Sequence, residues 1–114
     1  MTRLVSFAAA ALVFSGAVSA QAPAATGNAE IGSQKVQMCQ GCHGIPGWRT
    51  AYPEVYRVPK IAGQHQAYIV KALQEYKSGA RTHPSMRAIA SSLSDADMAN
   101  VAAYYAQSGM RVAQ

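Results

Sequence analysis

Acidic residues are scarce in this chain, which has five Asp and Glu against ten Lys and Arg and a formal net charge of +5 at pH 7. The positive charges are scattered along the chain and form no dense block of the kind that contacts nucleic acid, so a nucleic-acid-binding role is excluded. A scattered positive surface speeds the encounter with an acidic partner. Ordinary solubility explains the same surface, and composition alone does not choose between the two explanations.

The chain also lacks the patterns from which sheets and most enzyme sites are built. No segment shows the sustained apolar–polar alternation of a strand, so helices and loops are expected throughout. We find no carboxylate pair, nucleophile–base set or phosphate-binding loop, so the chain is not expected to be an enzyme. Two cysteines permit one disulfide at most and are too few for a four-cysteine zinc site.

A long apolar run occurs once, at the N-terminus. Arg3 precedes the apolar segment Leu4 to Val18, and Val18-Ser19-Ala20 supplies the small residues that a signal peptidase requires. The run is shorter than the roughly 20 residues that span a bilayer, which disfavours the alternative of an uncleaved membrane anchor. The sequence therefore predicts a signal peptide over residues 1–20 that directs export to the periplasm, a flexible leader over 21–27, and one domain over 28–114 without stable membrane insertion.

Cys39, Cys42 and His43 form the sequence Cys-x-x-Cys-His, which is the signature of covalent c-type haem attachment. The two intervening residues let both sulfurs reach the two vinyl groups of one porphyrin, and the adjacent histidine can offer its imidazole to the iron. A thioredoxin-like redox pair needs a βαβ context, which the chain lacks. A plain disulfide would leave His43 without a purpose. One covalent haem c is therefore the predicted cofactor.

Helical periodicity and breakers divide the rest of the chain. A first helix is predicted from the N-cap Asn28 toward Cys39, with Gly32 inside it where another helix crosses closely. Breakers from Gly44 to Gly63 predict a long loop, which makes sense if the loop wraps a prosthetic group. The later helices are predicted over Gln64–Ser78 with Gly79 after its end, over Met86–Ser91, and from a Ser94/Asp97 capping box to a stop before Gly109. The last of them carries an apolar stripe of Met98, Val101, Ala102 and Tyr105.

The second axial ligand of the iron has several candidates by residue type, namely His65, His83, Met38, Met86, Met98 and Met110. Met38 precedes the motif and would lie on the wrong side for the second axial position. Met98 is better explained as a core residue, and Met110 lies at the chain end. Met86 is favoured because it lies in a loop between helices, where a thioether can point at a ring, and because Met/His ligation raises the reduction potential. His83 is the main competitor, and a bis-histidine site would lower the potential.

His43 also needs an acceptor for its second ring nitrogen, since a metal-binding histidine usually donates that proton to a fixed group. The carbonyl of Pro59 is a candidate, because its loop follows the haem motif. A plain loop proline is the alternative.

Taken in order, the residues resemble a class I cytochrome c, specifically a single domain of the cytochrome c4 and c553-type group. The resemblance covers nearly all of the chain after residue 27, and it is weakest over Ile45 to Val58. The matching residues are Gly32, Cys39 to Gly44, Pro59 to Gln64, Tyr68, Tyr76 to Arg81, Met86, Leu93-Ser94-Asp95 and Ala102 to Ala106.

The resemblance implies an all-α class I cytochrome c fold, in which helices and loops wrap one covalent haem. Its first and last helices are expected to cross near Gly32 and Tyr105. The implied site consists of Cys39 and Cys42 as thioether attachments, His43 and Met86 as axial ligands, the Pro59 carbonyl as the group that orients His43, and Arg81, followed by Gln64 or Trp48, near the haem propionates.

A soluble, exported one-electron carrier between redox proteins is the function that these features favour, because a six-coordinate iron needs no substrate pocket and little rearrangement. Two alternatives stay open. One is a haem subunit of a larger dehydrogenase or oxidase complex, and the other is a gas- or peroxide-binding cytochrome with a labile sixth ligand. A typical cytochrome c4 has two such domains and this chain has one haem motif, so the electron donor and acceptor are not implied.

Overall fold

A computed structural model describes residues 26–51 and 55–111 of the chain, and five helices make up the regular structure of these residues. No strand occurs among these residues, and their one extended pairing is an antiparallel bridge between Arg49 and Arg57. The predicted all-α fold is confirmed. The helices are α1 (Ala29–Ser33), α2 (Gln37–His43), α3 (Gln66–Ser78), α4 (Pro84–Ser91) and α5 (Asp95–Arg111).

The predicted signal peptide and all of the predicted leader except its last two residues lie outside the described part of the chain. Gly27, the last leader residue, lies against α5, because a Cβ atom built on it would overlap the carbonyl group of Ala99. Among residues 26–51 and 55–111, no helix combines the length and the apolar character needed to cross a membrane.

The N-terminal helix is interrupted, so the prediction of one helix from Asn28 to Cys39 was wrong. The predicted N-cap is present, since Asn28 Oδ1 accepts hydrogen bonds from the N–H groups of Glu30 and Ile31 at 2.9 and 3.2 Å. Helix α1 then ends at Ser33, and α2 begins at Gln37 after a turn. That turn buries Val36, which is 1% exposed, so tertiary packing overrides the local helical pattern.

Helices α1 and α5 cross at Gly32, which explains a glycine inside a helix. A Cβ atom built on Gly32 would overlap the backbone carbonyl of Asn100 and approach Tyr104 Cβ at 3.0 Å. The backbone N–H of Asn28 also donates to Asn100 Oδ1 at 2.7 Å. The expected crossing is therefore present, but it involves Tyr104 and not Tyr105, which faces the core. Successive helix positions point about 100° apart, so an error of one residue changes the face.

The boundaries of α3 and α4 follow from their caps. Helix α3 begins at Gln66, two residues later than predicted, and ends at Ser78. Gly79 follows it, and its φ of 88° is the left-handed conformation expected after a helix. Helix α4 begins at Pro84 and not at Met86. His83 is extended, as the residue before a proline should be, and its Nδ1 accepts the N–H of Met86 as an N-cap. Met86 therefore lies in the first turn of a helix and not in a loop.

Helix α5 supplies the largest part of the core. Its predicted apolar stripe is buried, and it packs with residues of α3 and α4 around Val36. The helix continues to Arg111 through the predicted stop at Gly109, since glycine costs a helix only about 1 kcal/mol relative to alanine and does not forbid it. The buried core residues are Val36, Ile69, Leu73, Ala90, Leu93, Met98, Val101, Ala102 and Tyr105.

The predicted capping box at the start of α5 is present. Ser94 Oγ accepts the N–H of Asp97 at 3.1 Å and donates to Asp97 Oδ2 at 2.8 Å, while the N–H of Ser94 donates to the same carboxylate oxygen at 3.2 Å. The hydrogen bonds from Ser94, followed by the contact with Lys35, lower the pKa of Asp97. The carboxylate is therefore the form that caps the helix.

We expect Ser94→Ala to lower the free energy of unfolding by about 1 kcal/mol at pH 7, since it removes the N-cap of α5. Because the folded pKa of Asp97 is depressed, its charge stabilises the fold above the unfolded pKa near 4, and this contribution is lost as the pH falls through the folded value. The penalty should therefore shrink below about pH 4. Urea unfolding at several pH values measures it, with Ser91→Ala as the control. A penalty independent of pH would contradict the role of the carboxylate.

Candidate functional site

The haem motif lies on α2, a helix of seven residues that ends at His43. Cys39 and Cys42 are three residues apart, which places both on one face of the helix. Neither thiol is in a disulfide, and each is half-buried. Burial raises the pKa of the Cys39 thiol. Across the described residues no group of three or more His, Cys, Asp or Glu side chains is arranged to hold a metal ion.

The ring of His43 is held by the loop that follows the motif. Its Nδ1 lies 2.7 Å from the carbonyl oxygen of Pro59. Since a carbonyl oxygen only accepts, Nδ1 carries the proton in this contact, and Nε2 is left with a free lone pair. This is the tautomer that a histidine needs to ligate iron through Nε2. The structure thus brings together the two residues that the sequence paired, and the role of the hydrogen bond in ligation stays a prediction.

A cavity of about 470 Å³ opens beside this ring, and its lining is mostly apolar. Both cysteines, His43 and Pro59 line one part of it, and Met86 lines it from the first turn of α4. Its volume is in the range of ligand and cofactor sites in proteins. Its apolar residues include Ile61, Ile69, Leu73, Ile89 and Val101.

These residues fit a haem c. The cavity offers an apolar space for a porphyrin, two thiols in the spacing needed for thioether bonds, and an imidazole whose Nε2 lone pair is free. A thioether sulfur is available from the same lining. A disulfide or a structural zinc site does not require this combination of an apolar cavity, two thiols and an imidazole.

Met86 is half-buried and positioned by the cap of α4. Its N–H donates to Nδ1 of His83 at 3.3 Å, and the His83 ring lies 5.2 Å from the ring of Tyr56. Both His83 and Met86 line the cavity. One nitrogen of His83 is therefore already used by the cap, whereas the thioether of Met86 has no hydrogen-bond partner among the described residues.

The other candidate ligands lie elsewhere. His65 occupies the N-cap position of α3 and does not line the cavity. Met98 is 0% exposed in the core, in agreement with its assignment to packing. Met38 lines the edge of the cavity and is half exposed. The side chain of Met110 lies outside the part of the chain that the structure describes.

Arg81 lines the cavity in a network that sequence reasoning missed. Its Nε donates to Glu75 Oε2 at 2.7 Å and a terminal nitrogen donates to Tyr68 Oη at 3.3 Å. The guanidinium also lies 5.5 and 5.7 Å from the ring centres of Tyr68 and Tyr76. The hydrogen bonds that Arg81 donates to Tyr68 and Glu75 raise its pKa, which fixes its positive charge at the edge of the cavity. The sequence feature that could have revealed this network is Gly79, whose turn brings the chain back toward α3.

The buried hydroxyl of Tyr105 is a second feature that the sequence did not reveal. Its hydroxyl is buried and has no hydrogen-bond partner among the described residues. Burial, followed by the nearby Cys39, raises the pKa of this phenol.

Gln64 and Trp48 were the other residues that the resemblance placed near the haem propionates. Gln64 lines the cavity, whereas Trp48 does not.

Comparison with known proteins gives the family. The family model for cytochrome c matches residues 29–108. Cytochrome c4 of Pseudomonas aeruginosa is 39% identical over 77% of this chain and 42% of its own length. Cytochrome c-554(548) of Halomonas halodenitrificans is 35% identical over 69% of this chain and 94% of its own length. The thiosulfate dehydrogenase electron acceptor of Stutzerimonas stutzeri is 38% identical over 75% of this chain and 40% of its own length.

The chain thus spans about two fifths of the length of the cytochrome c4 relatives it matches and nearly all of cytochrome c-554(548). The family model covers both cysteines, His43, Pro59 and Met86. Its cofactor is covalently bound haem c, and a single haem fits a single domain. The chain belongs to the cytochrome c family, as a class I c-type cytochrome of the cytochrome c4 group.

Proposed function

We propose that this cytochrome is a monohaem one-electron carrier between redox proteins, with the haem joined to Cys39 and Cys42 and the iron between His43 and Met86. One observation carries the proposal: a single cavity is lined by both cysteines, by Met86 and by His43, whose Nδ1 is fixed by Pro59 at 2.7 Å. The haem supplies an iron that gains and loses one electron.

The protein residues hold this centre rigid. The Pro59 carbonyl fixes the plane and tautomer of His43, and the cap from His83 fixes the backbone of Met86 in α4. A ligand set that stays in place in both oxidation states needs little reorganisation on electron transfer. Arg81, held by Glu75 at 2.7 Å, keeps a positive charge at the edge of the cavity, where it is proposed to face a propionate.

A carrier role, and not an enzymatic one, is supported by the nature of the lining. The lining is mostly apolar, and none of the described Asp or Glu residues contributes to it. The name of the Stutzerimonas stutzeri relative describes a protein that accepts electrons from a dehydrogenase. We further propose that residues 1–20 are a signal peptide, that the protein acts in the periplasm, and that residues 28–114 form a cytochrome c domain.

Optical spectra and a potentiometric titration of the purified protein test the proposal. We expect one covalent haem per chain by mass spectrometry, a thioether-to-iron absorption in the oxidised protein, and a reversible titration with one electron. Mass spectrometry of the exported protein should also place its first residue near Gln21.

Two results would contradict the carrier. Carbon monoxide binding to the reduced protein without denaturant would show that the sixth ligand is labile, which is the property of a ligand-binding cytochrome. Copurification with a stoichiometric partner would show a permanent subunit of a larger complex and not a free shuttle.

A further inference from the structure

Residues 61–64, which we call the glycine turn, follow closely on the residue that orients His43. The N–H of Gln64 donates to the carbonyl of Ile61 at 3.2 Å, and Gly63, the third residue of the turn, has a φ of 83°. A positive φ at the third position is the mark of a type II turn and calls for glycine or asparagine. The backbone of the turn therefore depends on Gly63.

The glycine turn is joined to the last helix. The N–H of Gly63 donates to the carbonyl of Tyr105 at 2.8 Å. Tyr105 lies within α5 and belongs to the buried core cluster. A carbonyl oxygen has two lone pairs, so it can accept this bond as well as one from its own helix. The turn is thus attached to one of the best-packed parts of the molecule.

The other end of the same segment carries the acceptor of His43. Pro59 lies two residues before the turn, and its carbonyl oxygen is 2.7 Å from His43 Nδ1. Ile61, between the two hydrogen bonds, packs against the core cluster. Proline fixes its own φ, so few backbone dihedral angles separate the Pro59 carbonyl from the bond at Gly63. A displacement of the turn is therefore passed on to the carbonyl.

We propose that Gly63 is a positioning residue for the axial histidine. Its left-handed backbone and its hydrogen bond to α5 hold the Pro59 carbonyl against His43 Nδ1. The position of α5 thereby influences the iron, although neither of the proposed axial ligands belongs to that helix.

The expected direction of this influence follows from the ligand chemistry. A hydrogen bond donated by the second ring nitrogen raises the basicity of a metal-binding imidazole, and a more basic ligand favours the oxidised iron. Loosening the glycine turn should weaken the bond between His43 and Pro59 and so favour the reduced iron. That His43 ligates the iron rests on the proposed function; the coupling between Gly63 and the His43 hydrogen bond does not.

Two substitutions of Gly63 separate positioning from a general need for glycine. Asparagine adopts the left-handed conformation readily, whereas a β-branched residue is an outlier there. G63N should therefore keep the turn, and G63V should displace it. The matched control is G47V, because Gly47 also has a positive φ, of 71°, in the loop after the haem motif, and a Cβ atom on it would meet no described atom within 4 Å.

Hydrogen exchange of the His43 Nδ1 proton, followed by NMR in the reduced holoprotein, measures how firmly the ring is held. In G63V the exchange should be at least about tenfold faster, the factor that corresponds to backbone strain at one residue. In G63N and in G47V it should change less than about twofold. At a fixed applied potential, the ratio of reduced to oxidised protein should rise at least about twofold in G63V only.

Equal acceleration in G63V and G47V would show that any left-handed glycine of the loop has this effect, and it would overturn the positioning role of Gly63. Unchanged exchange and an unchanged redox ratio in G63V would overturn it as well.

The wild-type holoprotein provides a test that does not depend on the folding of a variant. If α5 holds the loop, the amide proton of Gly63 and the Nδ1 proton of His43 exchange through the same opening and should respond equally to low concentrations of urea. Different urea dependences would overturn the coupling. Equal dependences in a protein that lacks the thioether-to-iron absorption would reject the proposed function and retain the coupling.

Discussion

Met86→Ala is expected to remove the sulfur ligand and open the sixth position of the iron. Met86 lines the cavity and makes no side-chain hydrogen bond with the residues that the structure describes, so its truncation removes a candidate ligand without leaving one of their polar groups unpaired. The oxidised variant should lose the thioether-to-iron absorption, and its reduced form should bind carbon monoxide without denaturant. The reduction potential should fall by about 0.1–0.3 V, a part of the ~0.8 V range that axial ligands span. Optical spectra and potentiometry measure both effects.

Met98→Leu is the control for this variant. Met98 is 0% exposed in the core and does not line the cavity, so a substitution of similar volume should cost less than about 1.5 kcal/mol and leave the spectrum unchanged. Unchanged ligation and potential in Met86→Ala would reject Met86 as the ligand. His83→Ala would then test the competitor, which also lines the cavity.

Gly32→Ala is expected to lower the free energy of unfolding by about 2–3 kcal/mol, although alanine is the better helix former. The reason is that the added Cβ atom would overlap the backbone carbonyl of Asn100, and a backbone group cannot rotate away as a side chain can. Helices α1 and α5 must therefore move apart. Urea unfolding of the holoprotein gives the change.

Gly41→Ala is the matched control, because Gly41 is also helical and a Cβ atom there would meet no atom within 4 Å. The same substitution should raise the free energy of unfolding by about 0.5–1 kcal/mol at this position. A loss of stability at Gly41 as large as that at Gly32 would show that the effect comes from the helix itself and not from the crossing.

The features that the sequence predicted correctly are local ones. Asn28, Gly79 and the Ser94/Asp97 pair act within one turn of their own helix, so residue type and spacing are enough to place them. The haem motif is local as well, since its members span five residues. The fold class followed from these elements and from the resemblance, and the family match confirms it.

The features that were missed depend on contacts between distant segments. The turn at Val36 exists because this side chain enters a core built by α3, α4 and α5. The cap that places Met86 in a helix needs His83 in an extended conformation, and the face of α5 that meets Gly32 depends on the angle between two helices. The network around Arg81 joins two segments through a turn. None of these has a periodic signature in sequence.

The crossing of the first and last helices has a consequence for the order of events in maturation. The N–H of Asn28 meets Asn100 across 72 positions of the chain, and closing so long a loop carries a large entropic cost before any contact repays it. The thiols of α2, by contrast, lie within one short helix. We therefore expect covalent attachment at Cys39 and Cys42 to come first and the two chain ends to join afterwards, so that the crossing reports complete assembly of the holoprotein.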